Sequence, residues 1–149
     1  MMLLRTRNSA SLLVARLAAG LVILPHGAQK ALGMFGGAGI SGTLDFFQSN
    51  LGIPAAATIL AIAAEFLGGL GLVFGFLARL SALGVGAVMV VAVVKVHGDH
   101  GFFMNWYGTA GKGQGYEYHI LMIGLCLAVL IGGAGALSVD RSLSKGEDE

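Results

Sequence analysis

The chain has 149 residues, 56% of them hydrophobic and 11% charged, with a formal net charge of +1. A soluble domain carries about 25% charged residues, so this is the composition of a membrane domain, one domain at this length. The near-neutral balance argues against a nucleic-acid partner, which would want a basic stripe.

The first apolar stretch predicts a membrane span over 12–31. Arg5 and Arg7 precede it, as in a signal peptide, but Arg16 interrupts the run, Pro25-His26 follows, and no small-residue cleavage site ends it. The reading is an uncleaved span. Its far end is polar, with His26, Gln29 and Lys30. His26 and Lys30 are four apart and share a helix face. Pro25 frees a carbonyl, a device found where a helix lines a cavity. The structural alternative is a polar helix end with Lys30 snorkelling to the headgroups.

In the first loop, Ile40, Leu44, Phe47 and Leu51 recur at helical spacing. Ser41 is the expected cap, and Gly52 with Pro54 the expected end. The pattern reads as a short amphipathic helix on the membrane surface or tucked back into it. The alternative is a loop with chance periodicity.

Spans two and three are predicted over 55–76 and 80–96, joined by a hairpin around Leu77-Ala78-Arg79. Each approaches the roughly 20 residues that a bilayer core requires. Glu65 lies alone about ten residues into span two, roughly 15 Å deep at 1.5 Å per residue. Charge inside a bilayer is costly and marks a functional hypothesis by default. A lone carboxylate in hydrocarbon takes up a proton, whereas a neighbouring cation keeps it ionised. Arg16 from one side and His26 from the other can reach this depth. Three readings stand: a structural Arg16–Glu65 ion pair, a proton-carrying or quinone-contacting acid, and a neutral acid bonded to backbone.

Lys95, His97, Asp99 and His100 close the third span, and Glu117 and His119 open the fourth, predicted over 118–137. The loop between them holds Phe102, Phe103, Trp106 and Tyr107, residues that favour the headgroup region, so it is expected to lie across the mouth of the bundle. Imidazoles with carboxylates suit zinc, iron or copper, but H-G-D-H and E-Y-H are weakly specific spacings. No metal is expected; the competing readings are a polar network at the bundle mouth and a site for an anionic or quinone-type ligand. No Ser-His-Asp order, phosphate loop or dinucleotide fingerprint is visible. Cys126 is the only cysteine, which excludes an intrachain disulfide and a CxxC pair. It reads as a small buried apolar residue, with a membrane-facing thiol as the alternative. The 25 glycines read as sites of close helix approach.

Alternating spans put Arg5, Arg7, Arg79, Arg141 and Lys145 on one side and Lys30, Lys95 and Lys112 on the other. The positive-inside rule then places both termini in the cytoplasm and the polar cluster toward the periplasm or cell exterior. The tail from Lys145 through Gly146 to Glu149 reads as a frayed cytoplasmic end.

Several segments, in order, carry a family resemblance: ARLAAGLVILPHGAQKALG, AEFLGGLGLVFGFLARL, VHGDHGFFMNW followed by GQGYEYH, and GGAGALSVD. Over about Ala15 to Leu143 the chain resembles the DoxX family of small four-helix bacterial inner-membrane proteins. The resemblance implies a redox connection, since relatives are linked to a thiosulfate:quinone oxidoreductase or to oxidative-stress and thiol-handling complexes. It transfers no active site. A more distant likeness to eukaryotic Surfeit-locus cargo receptors keeps a binding role open.

The expectation is therefore an all-α, four-span bundle with a short amphipathic helix in the first loop. The leading function is a small subunit or accessory of a membrane redox system, with quinone as the cofactor it admits. His26, Lys30, Glu65, His97, Glu117 and His119 are the ligand- or proton-binding candidates. The expected partners are membrane lipid, a membrane or periplasmic redox protein, and a second copy of the chain. The alternatives are a non-enzymatic scaffold or receptor docking a periplasmic partner through the third loop, and a proton-coupled transporter.

Overall fold

The computed structural model describes Leu4 and residues 6–145; Arg5 and the tail beyond Lys145 lie outside the described residues. Among the described residues six α-helices follow in order: α1 (Ala10–Leu32), α2 (Gly39–Leu51), α3 (Ala55–Phe74), α4 (Ala78–Ala92), α5 (Glu117–Gly132) and α6 (Val139–Lys145). No strand occurs among the described residues. α1, α3 and the helical run from Ala78 to His100 are long and apolar enough to cross a membrane, and α5 is a shorter apolar helix. Together they form the expected four-helix membrane bundle. Leu60, Leu67, Val94, Leu121 and Ile131 point outward, as a bilayer solvent permits.

α1 packs antiparallel on α3, α3 on α4, and α4 on α5, with α1 closing against α5. Ala19, Ile23, Leu72, Val85, Met89, Met122, Cys126 and Val129 form the centre. Glycine sets the α1–α3 register. A Cβ at Gly27 would come within 2.6 Å of the Phe66 Cα, so only hydrogen lets the backbones meet there. Close approach through small residues is the usual means of packing helices in lipid.

α2 is the amphipathic helix expected in the first loop. It begins at Gly39 after Ala38, not at Ser41, which lies inside its first turn. It ends on Gly52 in the left-handed conformation, φ 64°. Instead of standing off, it folds back against α1 and α3.

The structure corrects the expected Arg16–Glu65 pair. Gly27 stands level with Phe66 on α3, whereas Arg16 lies eleven residues earlier, about 16 Å along the axis. At its own level Arg16 is 1% exposed and meets helix ends. Its Nε donates to the Ala134 carbonyl at 2.7 Å, one terminal nitrogen to Leu72 and Val73 at 2.8 and 2.6 Å, and the other to Ala136 and Leu137 at 3.2 and 2.5 Å. Leu72 and Val73 belong to the last turn of α3, whose carbonyls have no intrahelical donor. Five donors in a planar fork match five acceptors. Asp140, also buried, accepts the Leu77 and Ala78 amides at 2.7 and 2.9 Å and so caps α4 beside this hub. Leu77 and Leu137 both adopt positive φ here, at 46° and 48°. Such backbone persists only where the surroundings over-determine it, and here Asp140 and Arg16 hold one residue each. Gly75, φ 66°, leaves room for the guanidinium, since a Cβ there would lie 3.0 Å from its carbon.

Arg7, Arg79 and Arg141 gather at this end of the bundle. The Arg7 amide donates to Gly132, Arg79 donates to the Leu130 carbonyl, and Arg141 donates to Asn8 at 2.6 Å. Lys30 and Lys95 lie at the opposite end.

Candidate functional site

At that opposite end a polar cavity of about 360 Å³ opens inside the bundle. α1 contributes Ile23, His26 and Lys30, α3 contributes Glu65, α4 and its continuation contribute Met89, Ala92 and His97, and α5 contributes Tyr118 and His119. Met104 and Gln114 of the third loop close it.

Lys30 and Glu65 form an ion pair across α1 and α3. Each Cα–Cβ bond tilts toward its own helix N-terminus, so on antiparallel helices the two side chains lean toward each other. The Glu65 side chain is 4% exposed and that of Lys30 26%. Lys30 therefore turns inward and does not snorkel to the headgroups. The partner of Glu65 is neither Arg16 nor a backbone group.

His97 is positioned by an irregular helix. After Ala92 the backbone widens into a π turn over Val93–His97, with the Gly98 amide reaching back to the Val93 carbonyl, and then tightens into a 3-10 turn over Gly98–His100. Such wide turns are frequent at functional sites. The His97 Nδ1 lies 2.8 Å from the Gln114 carbonyl. Since a carbonyl only accepts, Nδ1 carries the proton, and in the neutral ring Nε2 is left as an acceptor. His119 packs against His97 with ring centroids 4.1 Å apart. His119 is 5% exposed, and its Nδ1 has no hydrogen-bond partner among the described residues. The hydroxyl of Tyr118 is likewise buried without one. Buried polar atoms are paired in the great majority of cases, so Tyr118 and His119, two cavity-lining residues that each keep one buried polar atom unpartnered, stand out.

The cavity thus gathers His26, Lys30, Glu65, His97 and His119. Glu117 does not line it. Its carboxylate accepts the Met104 amide at 2.9 Å and the Trp106 indole N–H at 2.6 Å, and so ties the third loop across the mouth. Both bonds go to its Oε1. Tyr118 and Gln114 line the cavity without any signal of charge to announce them in sequence. Among the described residues, no three His, Cys, Asp or Glu side chains converge as a metal site would require.

Beside the cavity, an apolar groove of about 560 Å³ runs between α2, α3 and α4. Lys30, Glu65, Ala92 and His97 line both spaces.

The DoxX family model matches residues 11–98, more than half of the chain. The chain belongs to the DoxX family. The matched part of this DoxX-family protein includes His26, Lys30, Glu65 and His97, while Tyr118 and His119 lie beyond it. It is 27% identical over 138 residues to the inner membrane protein YqjF of Escherichia coli (strain K12), a match covering 93% of this chain and 95% of that one. No solved structure matches this DoxX-family chain.

Proposed function

We propose that this chain is a small subunit of a redox system of the bacterial inner membrane, and that its polar cavity receives a quinone headgroup. The observation that carries the reading is a cavity between the helices lined by Lys30, His97, Tyr118 and His119, the last two each keeping a buried polar atom unpartnered. The donor set fits the group. Quinone carbonyls accept hydrogen bonds, and Tyr118 and Lys30, which line the cavity, carry donors. When bound, a quinone supplies acceptance of two electrons and two protons, with the electrons drawn from a partner oxidoreductase. The chain's own residues hold and orient the headgroup through Lys30 and Tyr118. Cys126 is buried in the core, so thiol exchange has no exposed nucleophile here. A second reading, docking of a periplasmic partner through the third loop, is favoured by the exposure of Trp106 and Tyr107.

Trp106 is the only tryptophan and is tied to the cavity lid, which makes it a reporter. Titration of the detergent-purified protein with a tail-less quinone is expected to quench its fluorescence saturably. His119→Leu, with an unchanged melting temperature, is expected to weaken that binding about tenfold or more, or 1.4 kcal/mol. Unsaturable quenching, identical in the variant, would remove the quinone reading.

We also place both termini in the cytoplasm, supported by the gathering of Arg7, Arg79 and Arg141 at one end. In a Cys126→Ala background, Ala110→Cys is expected to react with an impermeant thiol reagent on intact spheroplasts, and Ser144→Cys only after lysis. The reverse labelling pattern would invert the orientation.

A further inference from the structure

We infer that the ligand of the polar cavity is a tailed amphiphile, with a neutral two-oxygen head and one long apolar chain, and that the chain lies in the groove between α2, α3 and α4. The inference rests on the quinone reading above and names its class. Head cavity and groove adjoin, since Lys30, Glu65, Ala92 and His97 line both. The floor of the groove is kept low by Ala57, Ala61, Ala64, Gly84 and Ala87. Small residues alone would mark only close helix packing, but this floor leads to a cavity whose His119 is 5% exposed and unpartnered at Nδ1.

The groove also has a wall that a merely lipid-facing surface does not need. α2 folds back over it and presents Phe46, Phe47 and Leu51. At about 560 Å³ the space is in the range of pockets that enclose most of a ligand. The charge at the junction argues for a neutral head. Lys30 is already paired with Glu65, so a phosphate arriving there would meet a carboxylate as well as an ammonium. Entry is sideways from the bilayer, since the groove lies between helices at membrane depth.

The test compares one quinone head carrying no tail with the same head carrying a long prenyl tail, read by Trp106 quenching. The variants are Ala57→Phe and Ala87→Phe, which fill the groove from exposed positions and leave the head cavity untouched. Each ligand is compared between wild type and variant, which cancels its partition into detergent. The double variant is expected to weaken the long-tailed ligand about tenfold and the tail-less head by less than about twofold. Equal affinities of wild type and variant for the long-tailed ligand would overturn the tail assignment while leaving the head site standing. Failure of the tail-less head to bind wild type would overturn the head site itself. Native mass spectrometry that finds a phospholipid in the groove, not displaced by the long-tailed ligand, would also overturn the inference.

Discussion

Arg16→Gln is expected to be the most damaging single substitution in this chain, at a cost of at least about 3 kcal/mol. The arginine donates to five carbonyls from two separate chain segments, the end of α3 and the turn after α5. Glutamine has two donors and no charge, so several buried acceptors lose their partners. Each orphan costs about 1–3 kcal/mol, and bonds to a charged donor are the stronger kind. The lost cation also sat at the negative end of the α3 dipole. Arg16→Lys keeps the charge but loses the planar five-donor fork, so it should fall between wild type and glutamine. Thermal melts in detergent decide this, and a glutamine variant that melts like wild type would refute the hub. The same experiment tests the absence of an Arg16–Glu65 pair. With the two groups about 16 Å apart, the losses from Arg16→Gln and Glu65→Gln should add within about 0.5 kcal/mol. Mutual rescue in the double variant would restore the pair.

Lys30→Met should show the opposite pattern, dependence on its partner. It leaves the Glu65 carboxylate, 4% exposed, without a counter-charge between α1 and α3. Removing one member of a buried pair costs about 3–5 kcal/mol, whereas removing both can be close to neutral. The partial exposure of Lys30 puts the expected loss at the lower end. The Lys30→Met/Glu65→Gln double variant should recover most of it, and still fail to retain the quinone if these side chains orient it. A double variant no more stable than the single would show that the pair does not join the helices. A stable double variant with wild-type quinone binding would confine the pair to a structural role.

The bundle was legible in the sequence because a bilayer demands long apolar runs, and hydropathy alone reads those. The short helix over Gly39–Leu51 was legible for a similar reason, since its apolar spacing needs no partner to be recognised. Boundaries were less so. The fourth span was expected to reach residue 137, yet α5 stops at Gly132 because Gly133, φ 85°, turns the chain toward Arg16. The pairing of charges was not legible, because it depends on helix register. That register is set by backbone contact at Gly27, a length scale of a few ångströms on which hydropathy is silent. Knowing only that Arg16 and Glu65 lie inside the spans, their union was a reasonable economy of charge. Knowing the register, Arg16 belongs with the helix ends and Glu65 with Lys30. Glu117 shows the same limit, since nothing in E-Y-H announces that its Oε1 ties down the third loop.

The brevity of α5 has a consequence for the lipid around it. Its 16 residues span about 24 Å at 1.5 Å per residue, less than the roughly 30 Å of a typical hydrocarbon core. α1, with 23 residues, reaches about 35 Å. A long and a short apolar helix thus pack side by side. A span shorter than the core is met by local thinning and a longer one by tilt or kinking, so the bilayer is expected to be thinnest beside α5.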